Sequence, residues 1–162
     1  MIKEILFLSA AKMKKVRPSP KAVVVSILDR SEEYARPRLG GFRSVLVLHF
    51  EDTAEEGKLA QPHQWPDEPT DEEHARFCQG AGERVPALSD ARQIVRFIEE
   101  HHASKEELTL YAHCYGGISR SAAVAEFASV LLWLPIANGT MATTERANPR
   151  LLRLLNKAAG RT

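Results

Sequence analysis

Residues 108–132, LTLYAHCYGGISRSAAVAEFASVLL, constrain this chain more than any other stretch. Leu108, Leu110, Ala112 and Cys114 alternate with Thr109, Tyr111 and His113, and the run is apolar enough for a central strand. Gly116 and Gly117 follow at once, where a side chain would obstruct a tight turn or the close approach of a ligand. From Ser119 the pattern becomes helical: Ala122, Ala123, Ala125, Ala128, Val130, Leu131 and Leu132 recur with few breakers. Strand, glycine loop and helix in that order predict an α/β fold, with a central, mostly parallel sheet and helices on both faces.

Such a loop aims unpaired backbone N–H groups at one point, and the helix adds its dipole, so an anion is the natural occupant. Cys114 ends the strand and Arg120 opens the helix. The N–H groups of Tyr115, Gly116, Gly117, Ile118, Ser119 and Arg120 can hold phosphate oxygens while the Arg120 guanidinium adds a bidentate clamp. The thiol then lies beneath the phosphorus. A field of N–H dipoles and one fixed cation favours thiolate over thiol, and a thiolate aimed at phosphorus is a nucleophile.

His113-Cys114, five residues, then Arg120-Ser121 resembles the signature of the cysteine-dependent protein tyrosine phosphatases, the dual-specificity group included. Gly117 inside the loop and the small-residue helix after it extend the match, and Asn148-Pro149-Arg150-Leu151 resembles the C-terminal segment of small bacterial members. The resemblance is sharp over 107–130, loose over 22–53 and at the C-terminus, and absent from 54 to 86. It implies a single phosphatase domain over 1–162 that needs no metal and no cofactor. Cys114 would form a phosphocysteine, Arg120 would bind the phosphoryl group, Ser121 would hydrogen-bond the thiolate, and His113 would orient the loop from below. The implied substrate is a phosphorylated protein, phosphotyrosine by default, or a small phosphomonoester. Family members directed at phosphoinositides often carry basic residues inside the loop, and Tyr115 to Ser119 supply none. Two other readings stay open: a phospho-binding module that turns over little, and a rhodanese-like sulfurtransferase, which also cradles a cysteine in amides.

A phosphate ester leaves poorly unless its oxygen is protonated, so a general acid is required. Ligands of open α/β sheets lie beyond the carboxyl ends of the strands, and a strand over 43–50 delivers Asp52 to that edge. Dual-specificity phosphatases carry their acid in a context resembling Phe50-Glu51-Asp52-Thr53. Trp65-Pro66-Asp67 spells the acid loop of tyrosine-specific phosphatases instead, but it stands in a polar, proline-rich insertion, 54–86, that reads as a surface lid or lobe. Asp52 and Asp67 therefore compete for one role.

The remaining pattern completes a domain. Strands are predicted over 2–8 and 22–28, the second apolar on both faces, with a turn or brief helix over 9–15 and a polar loop over 29–41. Lys12, Lys14 and Lys15 face either an acidic substrate or solvent. Ser89-Asp90 is positioned to cap an amphipathic helix running to His102, and Asn148 to cap a last helix over 149–159. Adjacent His101 and His102 point about 100° apart on a helix, which is wrong for a metal pair. A net charge of +1 gives no reason to expect nucleic acid or an anionic membrane as partner. The longest apolar run, 130–137, is too short to span a bilayer, and no signal peptide is visible, so the cytoplasm is the expected compartment. Cys78 is either a small hydrophobe or a resolving thiol for Cys114.

Overall fold

The computed structural model describes residues 1–53, 65–138 and 143–161. The first part of the expected lid, 54–64, and the turn glycine Gly139 lie outside the described residues. Four strands, β1 (Ile2–Ser9), β2 (Ala22–Ile27), β3 (Ser44–Leu48) and β4 (Leu108–Cys114), form one parallel sheet in the order β1-β4-β2-β3. Ser9 pairs with Cys114 and Ile27 with Leu48, so the strands release the chain along one carboxyl edge.

Alternation along each strand separates the two faces. Ile5, Phe7, Val23, Val25, Leu48, Leu110 and Ala112 stand on one face and belong to a single buried core. Against that core pack α3 (Leu88–His102), α4 (Arg120–Leu132) and α5 (Pro149–Ala158), with α5 touching both of the others. Helices shared by both faces, the expectation from sequence, hold only in part. The opposite face carries half-buried Leu6, Val45 and Tyr111 and exposed Val47, and Phe42 stands edge-on to Tyr111 at 6.4 Å. Ser26 and His113, paired in register, lie buried on this second face.

The connections hold the corrections. The polar loop over 29–41 contains a 3-10 helix, Arg30–Ala35, capped by buried Asp29, whose Oδ1 accepts from the Glu32 N–H at 3.1 Å. The short α1 (Ala10–Met13) starts at Ser9, whose side chain accepts from the Lys12 N–H. In α3 the cap moves two residues upstream of Ser89: Ala87 takes the cap position and its N–H donates to Asp90 Oδ2 at 2.9 Å. Within the insertion, α2 (Asp71–Phe77) begins with a capping box between Thr70 and Glu73. Residues 65–86 are a packed lobe. Trp65 stacks on Phe77 with centroids 4.5 Å apart, and fully buried Arg150 donates to the carbonyls of Pro66 and Pro86 at 2.9 and 2.8 Å. Among the described residues no helix is long and apolar enough to cross a membrane.

Candidate active site

The carboxyl end of β4 leads straight into the loop, and Gly117 explains how so tight a turn closes. Its φ is +67°, and a Cβ there would come within 2.2 Å of the Ser9 backbone nitrogen and 2.5 Å of the Leu8 carbonyl carbon. Only glycine fits, on conformational and on steric grounds. Gly116 differs: a Cβ on it meets nothing nearer than 4.0 Å. The Ala10 N–H donates to the Tyr115 carbonyl at 3.1 Å, so the loop is bolted to the end of β1 and the start of α1.

The strand geometry places Cys114 on the core face, 98% buried, where one turn of α4 brings Ser121 over it. Cys114 Sγ lies 3.1 Å from Ser121 Oγ and accepts from the Gly117 N–H at 3.3 Å. The N–H groups of Gly116, Ile118, Ser119 and Arg120 have no acceptor among the described residues. Arg120 is 97% buried. Its two terminal nitrogens are committed, one to the Phe50 carbonyl at 2.9 Å and the other to both oxygens of Glu32 at 3.0 and 2.9 Å, but its Nε is buried with no partner. A buried, fixed cation with an unpartnered Nε beside a row of free amides presents the kind of donors that can hold an anion.

Glu32 was not legible beforehand, although burying a guanidinium requires a compensating acceptor. It sits on the 3-10 helix, 88 residues away in sequence. Burial pushes its carboxyl above the ordinary range, while the Arg120 charge works in the opposite direction.

His113 lies beneath the loop, on the other face of β4. Its Nδ1 is 3.4 Å from the Cys114 carbonyl oxygen and its Nε2 is 2.6 Å from Ser26 Oγ. Ser26 Oγ in turn accepts from Arg36, whose guanidinium also grips Glu33. With Ser26 donating to Nε2 and Nδ1–H facing the carbonyl, every one of these bonds is satisfied by a neutral ring. Burial agrees, lowering the His113 pKa to about 4. Ser26, the one polar residue in the run AVVVSI, is the signal that would have found this chain of bonds.

The two candidate acids have different surroundings. Asp52 Oδ1 accepts from Ser119 Oγ at 2.7 Å and from Asn148 Nδ2 at 2.8 Å, at the rim of the loop. Asn148 does cap α5, its Oδ1 accepting from the Leu151 N–H, and it also tethers the segment after β3. Asp67 instead bonds Arg153 at 2.8 Å and Lys157, both on α5, and its carbonyl accepts from Leu88 N–H. Burial alone would raise the Asp67 pKa, but Lys157 and Arg153 lower it below the ordinary range. Among the described residues no hydrogen bond or ion pair joins Asp67 to the loop.

Cys78 is a free thiol, like Cys114. Burial and then the Glu51 carboxylate push it up to about 11, which leaves it a poor nucleophile at neutral pH. His101 stands half-buried against the Phe97 ring at 4.5 Å. Among the described residues no group of three or more His, Cys, Asp or Glu could hold a metal ion. No protein-family model, curated protein or solved structure matches this chain.

Proposed function

We propose that this chain is a cysteine-dependent phosphate monoester hydrolase of the protein tyrosine phosphatase type, acting on phosphotyrosine or with dual specificity through a phosphocysteine. One observation carries the reading: Cys114 Sγ lies against Ser121 Oγ and the Gly117 N–H in a loop that ends at Arg120, whose buried Nε has no partner. In the first step Cys114 Sγ attacks phosphorus as the P–O bond to the leaving group breaks. Asp52 gives its proton to the departing oxygen. Both donors to Asp52 engage Oδ1, which leaves Oδ2 to face the leaving group. In the second step Asp52 takes a proton from water, whose oxygen attacks phosphorus. The S–P bond breaks, and inorganic phosphate leaves with the thiolate restored.

The loop amides and Arg120 balance the charge on the phosphoryl oxygens throughout. Ser121 hydrogen-bonds the sulfur as it departs. Neutral His113 holds the Cys114 carbonyl, which fixes where the thiolate points.

The test is steady-state hydrolysis of p-nitrophenyl phosphate in the presence of a chelator. Turnover by the wild type and background activity for Cys114→Ser are expected. A silent wild type, activity retained in Cys114→Ser, or a chelator-sensitive rate would overturn the proposal.

A further inference from the structure

The lysines of the α1 segment do more than solvate a surface. Lys14 and Lys15 line a cavity of about 500 Å³ together with Tyr34, Ala35 and Tyr115. Tyr115 is the first residue of the loop after Cys114, so this cavity begins at the rim of the candidate site. Tyr34 and Tyr115 stand edge to face with centroids 6.4 Å apart and their hydroxyls 3.2 Å from one another, and both rings are exposed. Lys14 also lines a second cavity of about 480 Å³, with Pro18, Arg36 and Arg38. The two concavities therefore adjoin along one groove leading away from the loop.

Charge gives the groove its sign. Among the described residues no carboxylate forms an ion pair with Lys14, Lys15 or Arg38. The Arg36 guanidinium, by contrast, is occupied by Glu33 and Ser26 and contributes a wall. The whole chain is at +1, so these open cations are a local concentration and not the overflow of a basic protein.

Rigidity ties the groove to the chemistry. The Ala10 N–H bonds the Tyr115 carbonyl, and Ser9 is the residue against which Gly117 is packed. The 3-10 helix that presents Tyr34 to the groove also presents Glu32 to Arg120. A ligand seated between α1 and this helix has a fixed register to Cys114.

We infer that this groove is a substrate subsite for acidic side chains flanking the phosphorylated residue of a protein substrate. The inference rests on the phosphatase reading of the loop. Two concavities of several hundred Å³ that share Lys14 suit an extended peptide, whose successive side chains enter them. A flat anionic membrane meets the lysines and cannot fill the pockets. Asp or Glu side chains would reach Lys14 and Lys15 in the first cavity and Arg38 in the second, while the aromatic pair walls off the phosphorylated ring. Each exposed ion pair of this kind is worth between about 1.5-fold and 5-fold in affinity, so three of them supply on the order of 10-fold.

The experiment separates this subsite from the chemistry. Binding of labelled phosphotyrosine peptides, one with Asp and Glu around the phosphorylated residue and one with Asn and Gln, is measured on the Cys114→Ser chain by fluorescence anisotropy. The acidic peptide is expected to bind about 10-fold more tightly at low salt, with the preference fading as salt rises. Adding Lys14→Glu and Lys15→Glu is expected to erase the preference, and adding Lys105→Glu, at the far end of β4, to keep it. Equal affinity for the two peptides overturns the subsite, as does a preference that survives the double reversal. Stronger binding to phosphatidylserine vesicles than to the acidic peptide, lost with the same two reversals, also overturns it in favour of a membrane surface. Wild-type turnover of p-nitrophenyl phosphate is recorded in parallel. Turnover without peptide discrimination removes the subsite alone, and peptide discrimination without turnover removes the hydrolase and keeps an acidic phosphopeptide site.

Discussion

Asp52 and Asp67 are anchored by the same helix, α5, at different distances along it. Asn148, the cap of α5, holds Asp52 Oδ1, whereas Arg153 and Lys157 hold Asp67 one turn and two turns further on. At 1.5 Å per residue those anchors lie about 7.5 Å and 13.5 Å along the axis from the cap. The first carboxylate is held by neutral donors at the rim of the loop and keeps an oxygen free. The second is neutralised by cations on the flank of the molecule. The same residue type therefore meets different partners at the two positions: neutral donors hold Asp52, and two cations hold Asp67.

The largest effect expected from breaking this contrast is on the leaving group. Asp52→Asn should lower kcat on phosphotyrosine by about 10²- to 10³-fold, the usual worth of a general acid. The loss should be smaller on p-nitrophenyl phosphate, whose leaving oxygen hardly needs a proton. Asp67→Asn should leave both rates within about twofold. The reverse pattern, measured in the same stopped-time assays, makes Asp67 the acid and requires the lobe to swing away from α5.

Much of the loop side of this comparison was legible in the sequence, because its signals are local. Cys114, Arg120 and Ser121 take their positions from one strand end and one helix turn, which periodicity reveals. Asn148 was readable as a cap, since capping is also local. Its second bond, to Asp52, spans 96 residues, and the pair Arg120 to Glu32 spans 88, so neither leaves a local pattern. The two glycines looked alike in sequence; only the approach of the Ser9 backbone separates indispensable Gly117 from permissive Gly116. The sequence leaves a surface lid or a lobe open because the prolines and polar residues of the insertion hide three inward anchors: buried His74, buried Val85 and the Trp65 ring beneath Arg150.

The second contrast to sharpen concerns acid. The loop rests on the neutral imidazole of His113, so protons should loosen it; the lobe has an acid-sensitive imidazole of its own in His74, whose Nδ1 accepts from the Val85 N–H, so the loop's share is read from a variant at position 113. His113 has a pKa of about 4 when folded against an ordinary 6.5. A depressed folded value means that the unfolded chain takes up the proton first, so the stability is fully present above pH 6.5 and lost as pH falls toward 4. The difference corresponds to about 3 kcal/mol. Urea unfolding of the wild type and His113→Asn at a series of pH values reads this directly, because the asparagine amide can still face the Cys114 carbonyl but cannot titrate. The stability gap between the two chains should narrow by about that amount over this interval. A gap independent of pH would mean that His113 is charged or exposed in the folded protein.

Asn148→Ala comes next, and it couples the two sides. Loss of the cap should lower stability by about 1 kcal/mol. Release of Asp52 should lower kcat on phosphotyrosine by about 10-fold, with KM nearly unchanged, because the acid acts on the leaving group and not on binding. Asn148→Ser keeps a capping oxygen but has no amide to reach Asp52. It should recover stability and not the rate, and recovery of both would reduce Asn148 to a cap.

Asp67→Asn should have the smallest effect, on stability alone. Arg153 and Lys157 are 40% and 52% exposed, so water screens both pairs, and their joint worth is about 1 kcal/mol at most. Because these cations lower the Asp67 pKa, that contribution is present above the ordinary carboxylate range and disappears as pH falls through the depressed folded value. Thermal unfolding at pH 7 should therefore show a small drop in Tm for Asp67→Asn, shrinking as salt is raised and vanishing in acid. The lobe should remain docked all the same, since Arg150 still binds the Pro66 and Pro86 carbonyls and the Trp65 ring still stacks on Phe77. A loss of several kcal/mol would mean that the ion pairs, and not this buried grip, hold the lobe to α5, and the contrast between a neutral rim and a charged flank would then extend to what keeps the molecule together.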